Sequence, residues 1–253
     1  VKFVISLATW ESPPTIFHID SEGGNLDQAM MIGEIIRASQ IPVWSGEKCY
    51  SACVFIYVSG VERIARGSIG LHRPYFERAY FSELTSLEAK EKYDELKQES
   101  VVYLKKMEVA QSLIDRIFET GSTDVDIIQG SEADKLFGTR SPFYDEWLTA
   151  KCGKYTEEQS TVLDSWGNLK AVRSTLSVLN DESIPRTDDF GSNLNELIEG
   201  AWLALEMEKS GALAPYIELF KTNQKCGKKA VSRHVFSFHR DIQKYVLDLG
   251  NGS

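Results

Sequence analysis

Short β-rich runs and helical apolar stripes follow one another through the first 140 residues of the chain. The run TIFHI (15–19) is followed by the turn-forming DSEGG and then by LDQAMMIGEIIRASQ. In that last segment apolar residues recur with helical spacing, at Leu26, Ala29, Met30, Ile32, Ile35 and Ile36. This pattern predicts a strand, a glycine turn and an amphipathic helix.

The same order then repeats. IPVWSG (41–46) predicts a second strand, ACVFIYVSG a short buried helix entered at Ser51, and GSIGLH (67–72) a third strand that ends at His72. STDVDIIQGSEADKLFG (122–138) predicts a short strand and a small helix that closes the unit. Strands that alternate with helices indicate an α/β fold with a largely parallel sheet and right-handed crossovers.

Helical patterns dominate elsewhere. Residues 82–119 contain no Gly or Pro and predict one long or two consecutive helices, with Ser82 and Thr85 as candidate N-caps. β-rich runs are absent beyond about residue 155, whereas LNELIEGAWLALEMEK carries a helical apolar stripe. We therefore predict an α/β domain over 1–150 and a mainly α-helical C-terminal extension over 151–253, with an exposed loop at 180–193.

Charge narrows the classes of partner. The 253 residues carry a formal net charge of -9, with a pI near 5.1, so phosphate backbones and anionic lipid surfaces would be repelled. No apolar run approaches the length of a membrane span. Nucleic-acid and membrane-surface roles are disfavoured, which leaves peptides, small molecules and proteins as partners.

The four cysteines do not form a zinc framework of paired C-x-x-C motifs. Their even number fits either disulfides in an oxidising compartment or reduced thiols in the cytosol. Cys152 and Cys226 both lie in polar KCGK contexts that indicate a surface position, which favours a disulfide between them. His234 and His239 lack ligands at metal spacing, so no metal site is expected.

The candidate chemistry lies at Ser51, which stands between DSEGG and His72 in the chain. A serine hydroxyl reacts when a base removes its proton and backbone N–H groups stabilise the oxyanion. His72 is the natural base, and Gly23 and Gly24 let a backbone N–H approach closely. Two other interpretations remain open: Ser51 caps a buried helix, or the flanking cysteines are the reactive groups.

Three segments carry a family resemblance: IDSEGGNLDQAMMIGEIIR, CYSACVFIYVSG and GLHRPY. Together they resemble the signature blocks of ClpP-like serine peptidases of the ClpP/crotonase superfamily, over roughly residues 15–140. The Cys-x-Ser-Ala-Cys setting is most similar to predicted periplasmic ClpP-like proteins. The resemblance implies a ClpP/crotonase-like ββα superhelix, some self-assembly, and a periplasmic or otherwise exported protein whose leader is absent from the chain.

By position, the resemblance implies a serine hydrolase that acts on a peptide or protein without a metal or cofactor. Ser51 would be the nucleophile and His72 the general base. The backbone amides of Gly24 and Ala52 would form the oxyanion hole. The alternatives are a catalytically weak or inactive ClpP-fold binding or scaffold protein, and an acyl-CoA enzyme of the crotonase branch.

The third catalytic residue is the point at which the match departs from the family. The position of the acid falls on Val125, between Asp124 and Asp126. Successive residues of a strand point to opposite faces, so the two aspartates share a face that Val125 does not. Asp126 is the first choice and Asp124 the alternative, each presented by a bulge, unless a backbone carbonyl orients a Ser-His dyad.

Overall fold

The structure is a computed structural model, and it describes residues 11–12, 14–179 and 188–251. Five strands lie in these residues: β1 (Phe17–Ser21), β2 (Val43–Tyr50), β3 (Arg63–Ala65), β4 (Ser68–Leu71) and β5 (Asp126–Gln129). The helices among the described residues are α1 (Leu26–Ser39), α2 (Ala52–Tyr57), α3 (Arg78–Ser82), α4 (Ser86–Lys106), α5 (Gln111–Glu119), α6 (Gly130–Phe137), α7 (Pro142–Cys152), α8 (Glu157–Leu179), α9 (Asp188–Lys209) and α10 (Ala214–Asn251). The predicted mixed α/β class is confirmed.

Most predicted elements are found, with instructive differences. β2 continues through the polar stretch EKCY to Tyr50, past the predicted end of the strand. The three-residue β3 was not predicted, because RIA is too short to give a pattern. Thr85 forms a reciprocal capping box with Glu88, whereas Ser82 ends α3 instead of capping a helix. Of the predicted loop at 180–193, residues 180–187 lie outside the described residues, and α9 includes 188–193.

The sheet brings three strand ends to one edge. Its order is β1-β2-β4-β5, with β3 also paired to β2, and every pairing is parallel except that of β4 with β5. In a parallel sheet the carboxyl ends of neighbouring strands meet at one edge, where ligand sites are commonly built. This edge of the sheet therefore carries the turn after Ser21, the turn at Ser51 and His72.

An irregularity between β1 and β2 positions the glycine turn. Ile19 pairs with Ser45 but Ser21 pairs with Cys49, so β2 has extra residues between the two pairs. The Asp20 carboxylate accepts hydrogen bonds from the Glu47 and Lys48 amides at 3.3 and 3.4 Å, which satisfies groups that the bulge leaves unpaired. The end of β1 is thereby aligned with the end of β2.

Two arginines hold the carboxyl end of α2. The Arg63 side chain is buried and donates to Val58 O at 2.9 Å and to Gly138 O at 3.0 Å. Arg37 donates to the same Val58 carbonyl at 3.1 Å and to Met107 O at 3.0 Å. Burial lowers the pKa of Arg63 to about 10, so the group stays protonated at neutral pH. The cations complement the negative end of the helix dipole.

Contacts divide the described residues into two compact units, one of residues up to 146 together with 231–251 and the other of residues 147–179 and 188–230. Val235 is buried in the core of the first unit. The division into domains of 1–150 and 151–253 stays a prediction. In the second unit α8 and α9 pack through a core that includes Val162, Leu169 and Ala204. A Cys152–Cys226 disulfide links α7 and α10 there.

A substitution at Gly33 tests how α1 packs in the first unit. A Cβ at this position would lie 1.8 Å from the Tyr103 hydroxyl, which donates to Phe55 O at 2.8 Å. We expect Gly33→Ala to lower the free energy of unfolding by about 1–3 kcal/mol, because the buried tyrosine must move. Urea unfolding measures the change, and Tyr103→Phe should reduce it.

The matched control is Gly167→Ala, at an exposed site on α8 where no atom lies within 4 Å of the added Cβ. Alanine should stabilise that helix by about 0.5–1 kcal/mol. Equal effects of the two substitutions would contradict the packing described for Gly33.

Candidate functional site

Ser51 adopts a backbone conformation that is rare for a residue with a side chain. It forms the turn from β2 to α2 with φ 56° and ψ -127°, outside the left-handed α region. Such conformations cost about 1–3 kcal/mol and are concentrated at functional sites. A strained serine between a strand and a helix is the local geometry of a nucleophile elbow. The sequence predicted the helix start but not this strain.

Ser51 occupies the N-cap position of α2, but its side chain makes no capping hydrogen bond. Its backbone is nevertheless fixed on both sides. The Ser51 amide donates to Gly70 O of β4 at 2.9 Å, and the Ser51 carbonyl accepts from the Val54 amide at 3.0 Å. The turn is therefore held by the sheet and by the helix, while the hydroxyl is left for other partners.

Of the glycine pair, Gly23 lies against this turn. A Cβ on Gly23 would lie 2.7 Å from Ser51 Cβ and 3.2 Å from its Oγ, so only glycine permits the approach. Gly23 and Gly24 have φ of 115° and 148°, which L side chains rarely adopt. A Cβ on Gly24 would meet no atom within 4 Å, so that residue faces open space.

Two backbone N–H groups are available at the turn. Ala52 is the first residue of α2, and the first amides of a helix have no partner within it. Within the part of the chain that the structure describes, neither the Ala52 amide nor the Gly24 amide donates to a protein acceptor. These are the two amides that the resemblance implied for an oxyanion hole.

The cysteines that flank Ser51 form a disulfide. Cys49 and Cys53 are both buried, and their Cα atoms lie 5.2 Å apart, within the range that a disulfide requires. A disulfide sulfur is not a thiolate, so in this structure the cysteines do not compete with Ser51 as nucleophiles. The bond joins the end of β2 to the first turn of α2.

His72 follows β4 directly and is half-buried. Its Nδ1 lies 3.0 Å from the Arg73 carbonyl oxygen. A carbonyl only accepts hydrogen bonds, so this contact holds the proton on Nδ1 and leaves the Nε2 lone pair free. In the described residues no hydrogen bond joins His72 to the Ser51 hydroxyl, and the ring lies near Tyr75, with centroids 5.8 Å apart.

The predicted acid Asp126 lies at the start of β5, paired in register with Leu71, next to His72. Its two carboxylate oxygens accept hydrogen bonds from Arg116 Nε and, at 2.9 Å, from a terminal nitrogen of the same guanidinium. The hydrogen bonds from Arg116 lower the pKa of Asp126. Asp126 is thus paired with Arg116, and no hydrogen bond to His72 occurs in the described residues.

The neighbouring positions also lie near the site. The Asp124 side chain is exposed, and a Cβ on Gly121 would lie 2.9 Å from its Oδ2, so the carboxylate folds back over its own turn. Val125 packs close to β4, where a Cβ on Gly70 would lie 2.8 Å from its Cγ1. The position that the family resemblance assigns to the acid is thus beside the strand that ends at His72, but it carries an apolar side chain.

Three contributors to the site were not identified from sequence. The Arg73 carbonyl orients His72, and the Gly70 carbonyl holds the Ser51 amide. Every residue carries a backbone carbonyl, so the residue types do not show which carbonyls contribute to the site. The Asp20 carboxylate in DSEGG is a third, and its side chain could have been suspected as a cap for unpaired amides.

Two open surface hollows among the described residues are not lined by Ser51 or His72. One, of about 520 Å³, is lined by residues of α10 together with Glu11. The other, of about 350 Å³, lies in the second unit between Thr156 and Leu219. In the described residues no cluster of His, Cys, Asp or Glu is suited to hold a metal ion.

Comparisons with known proteins give weak likenesses. No protein-family model matches the sequence, and no curated protein matches it. Among solved structures, a ClpP1 variant from Listeria monocytogenes is similar with a TM-score of 0.41 and 15% identity, over 55% of this chain and 78% of that one. A peptidase from Plasmodium falciparum is similar with a TM-score of 0.38 and 14% identity, over 54% and 84%. The roles of the residues therefore depend on the geometry of this chain.

The strain at Ser51 has a measurable signature. We expect Ser51→Gly to be more stable than Ser51→Ala by about 1 kcal/mol, because glycine adopts this φ without a steric penalty. The free energies of unfolding of the two variants test it.

Ser112, an exposed residue of helix α5, is the matched control. There Ser112→Gly should be less stable than Ser112→Ala, by about 1 kcal/mol, since glycine disfavours a helix. The same order of stability at both positions would contradict a strained turn at Ser51.

Proposed function

We propose that the protein is a serine hydrolase that acts on peptides or proteins and reacts through an acyl-enzyme on Ser51. The observation that carries the proposal is the strained strand-to-helix turn, which presents a hydroxyl without a capping bond. A fold retains a conformation of this kind where the surrounding structure over-determines it, and such sites are commonly functional. The flanking glycines, free amides and nearby histidine supply the other parts that acyl transfer needs.

His72 acts as the general base in this proposal. On substrate binding, Nε2 takes the proton from Ser51 Oγ as the oxygen attacks the carbonyl carbon. The imidazolium then gives that proton to the leaving amine, and water hydrolyses the ester with the same base. The absence of a Ser51–His72 hydrogen bond in the described residues is compatible with this role, because catalytic hydrogen bonds often tighten only in the substrate complex.

Stabilisation of the tetrahedral intermediate would come from the Gly24 and Ala52 amides. Both are backbone donors, so they are held by the fold and need no reorganisation during the reaction. Gly23 supports this role because it allows the glycine turn to approach Ser51 within contact distance. The positive end of the α2 dipole adds a small contribution of the same sign.

We propose a Ser-His dyad in which the Arg73 carbonyl orients His72, with Asp126 as the sequence-based alternative for a third member. The 3.0 Å contact of Nδ1 with Arg73 O supports the dyad. The engagement of both Asp126 oxygens by Arg116 disfavours the triad. A carbonyl stabilises an imidazolium less than a carboxylate does, so a modest catalytic rate is expected.

An oxidising, periplasmic or otherwise exported location is part of the proposal. All four cysteines are paired in disulfides, which persist in such compartments. No described helix combines the length and apolar character needed to cross a membrane. We propose peptides or proteins as substrates, and self-association into a homo-oligomer.

A catalytically inactive binding protein is the second candidate function. It is favoured by the apolar Val125 at the position that the family resemblance assigns to the acid, and by the pairing of Asp126 with Arg116. It is disfavoured by the strained serine, which a binding module has no need to retain.

A fluorophosphonate probe separates the two candidates. The nucleophile displaces fluoride from phosphorus, so an active Ser51 gains a stable phosphonyl group that mass spectrometry locates. We expect labelling of the wild type, none of Ser51→Ala, and labelling slowed about 10²–10⁴-fold in His72→Ala, which lacks the base. Ser59→Ala, at a buried serine just past the carboxyl end of α2, is the control and should label at the wild-type rate. Equal labelling of Ser51→Ala and the wild type would exclude Ser51.

Asp126→Asn distinguishes the dyad from the triad. We expect its labelling rate to stay within about tenfold of the wild type, whereas loss of an orienting acid lowers rates about 10⁴-fold. The ion pair of Asp126 with Arg116 gives a second readout, the pH dependence of stability. Arg116 lowers the pKa of Asp126 in the folded state, so the ion pair stabilises above the unfolded pKa and is lost as pH falls through the folded pKa.

Thermal unfolding should therefore show a lower midpoint for Asp126→Asn near neutral pH and a smaller difference in acid. Asp124→Asn is the matched control, with little effect expected on either readout. A collapse of labelling in Asp126→Asn at unchanged stability would support the triad instead.

A further inference from the structure

Cys49 and Cys53 lie on either side of Ser51 in the chain, and the proposed function gives their disulfide no role. We propose that the Cys49–Cys53 disulfide is a positioning element that holds Ser51 in its reactive backbone conformation. The catalytic part of this inference rests on the proposed function, while the conformational part does not.

The bond encloses Ser51 in a short loop. The two cysteines are separated by four positions, and Ser51 is the central residue of the loop that they close. The bond spans both dihedral angles of Ser51, since one end lies before the turn and the other after it. A disulfide tolerates Cα separations of only about 4.4–6.8 Å, so rotation of Ser51 toward an extended conformation is resisted.

Each end of the bond is anchored in a different element of the fold. Cys49 lies on β2, where it pairs with Ser21 of β1 and with Ile69 of β4. Cys53 lies in the first turn of α2, whose far end is held by Arg37 and Arg63. The bond therefore relates the sheet edge that carries the glycine turn and His72 to the helix that carries the Ala52 amide.

Both cysteines of the bond are buried. Cys49 and Cys53 are 0% and 3% exposed, so a thiol reductant in solvent has little access to the sulfurs in the folded protein. This favours a permanent positioning role over exchange with solvent thiols. The bond also closes a very short loop, which constrains the unfolded chain much less than the 74-residue separation of Cys152 and Cys226.

The two disulfides can thus be compared as a pair. Removal of Cys152–Cys226 should lower the thermal midpoint of the protein, through the longer loop, with little effect at Ser51. Removal of Cys49–Cys53 should lower the thermal midpoint less, because its loop is short, but it should change the backbone conformation of Ser51. The variants are Cys49→Ala/Cys53→Ala and, as the control, Cys152→Ala/Cys226→Ala.

The first readout is the Ser51 backbone, from crystal structures of the two variants. We expect φ of Ser51 to leave the positive region in Cys49→Ala/Cys53→Ala and to stay there in the control. If Cys49→Ala/Cys53→Ala does not fold, Cys49→Val/Cys53→Ala fills more of the buried space on the strand and replaces it. An unchanged positive φ without the bond would overturn the proposal.

The second readout is the kinetics of fluorophosphonate labelling. We expect the maximal rate constant to fall about 10–100-fold without the Cys49–Cys53 bond, at an unchanged half-saturating probe concentration, since misplacement of reacting atoms lowers rates to this extent. The shape of the pH profile should stay the same, because the base is unchanged. The control should label at the wild-type rate, and an equal fall in both variants would overturn the positioning role.

The two readouts separate the failure of this inference from the failure of the proposed function. A wild type that does not label contradicts the proposed function, while the φ of Ser51 in the variants still decides whether the bond positions the turn. Labelling of the wild type with no change in either readout contradicts the positioning role and leaves the hydrolase in place.

Discussion

The site depends on one backbone constraint, the strained turn at Ser51 between β2 and α2. A serine with positive φ persists only if its surroundings gain more free energy than the turn loses. Here the surroundings act on both flanks. The Ser51 amide is bonded to Gly70 of β4, and the Ser51 carbonyl is bonded to Val54 of α2. The turn is thus the joint between a buried strand and a buried helix.

The helix that follows the turn is unusually well fixed for its six residues. Its first turn is linked to β2 by the Cys49–Cys53 disulfide, and its end binds two arginine guanidinium groups. Short helices are marginal by themselves, so tertiary anchors decide the direction in which α2 points. The same anchors fix the Ala52 amide next to the serine hydroxyl. The strained turn at Ser51, the anchors of α2 and the Ala52 amide therefore belong to one continuous segment of the chain.

Much of this arrangement could be predicted from the sequence, because residue types carry the information. The alternation of strands with helices, the helix start at Ser51 and the glycine approach are all expressed in side chains or their absence. A backbone carbonyl that orients His72 was one of the alternatives from sequence, but its identity as Arg73 O could not be predicted, since every residue carries a carbonyl. The partner of Asp126 was also missed, because Arg116 lies on α5 and meets the strand only after folding.

The end of β2 also could not be predicted from the sequence. The pattern of β2 ended early in the sequence because EKCY is polar, yet pairing with β4 extends the strand to Tyr50. Local propensity was overridden by the sheet. The position of Ser51 thus follows from a long-range pairing as well as from its neighbours in the chain.

The most direct test of the account is a crystal structure of the protein after reaction with a fluorophosphonate. The account predicts a phosphonyl group on Ser51 Oγ, with its oxygen about 3 Å from the Gly24 and Ala52 amides and His72 Nε2 facing the adduct. An adduct on another residue, or a Ser51 adduct whose oxygen points away from both amides, would contradict it.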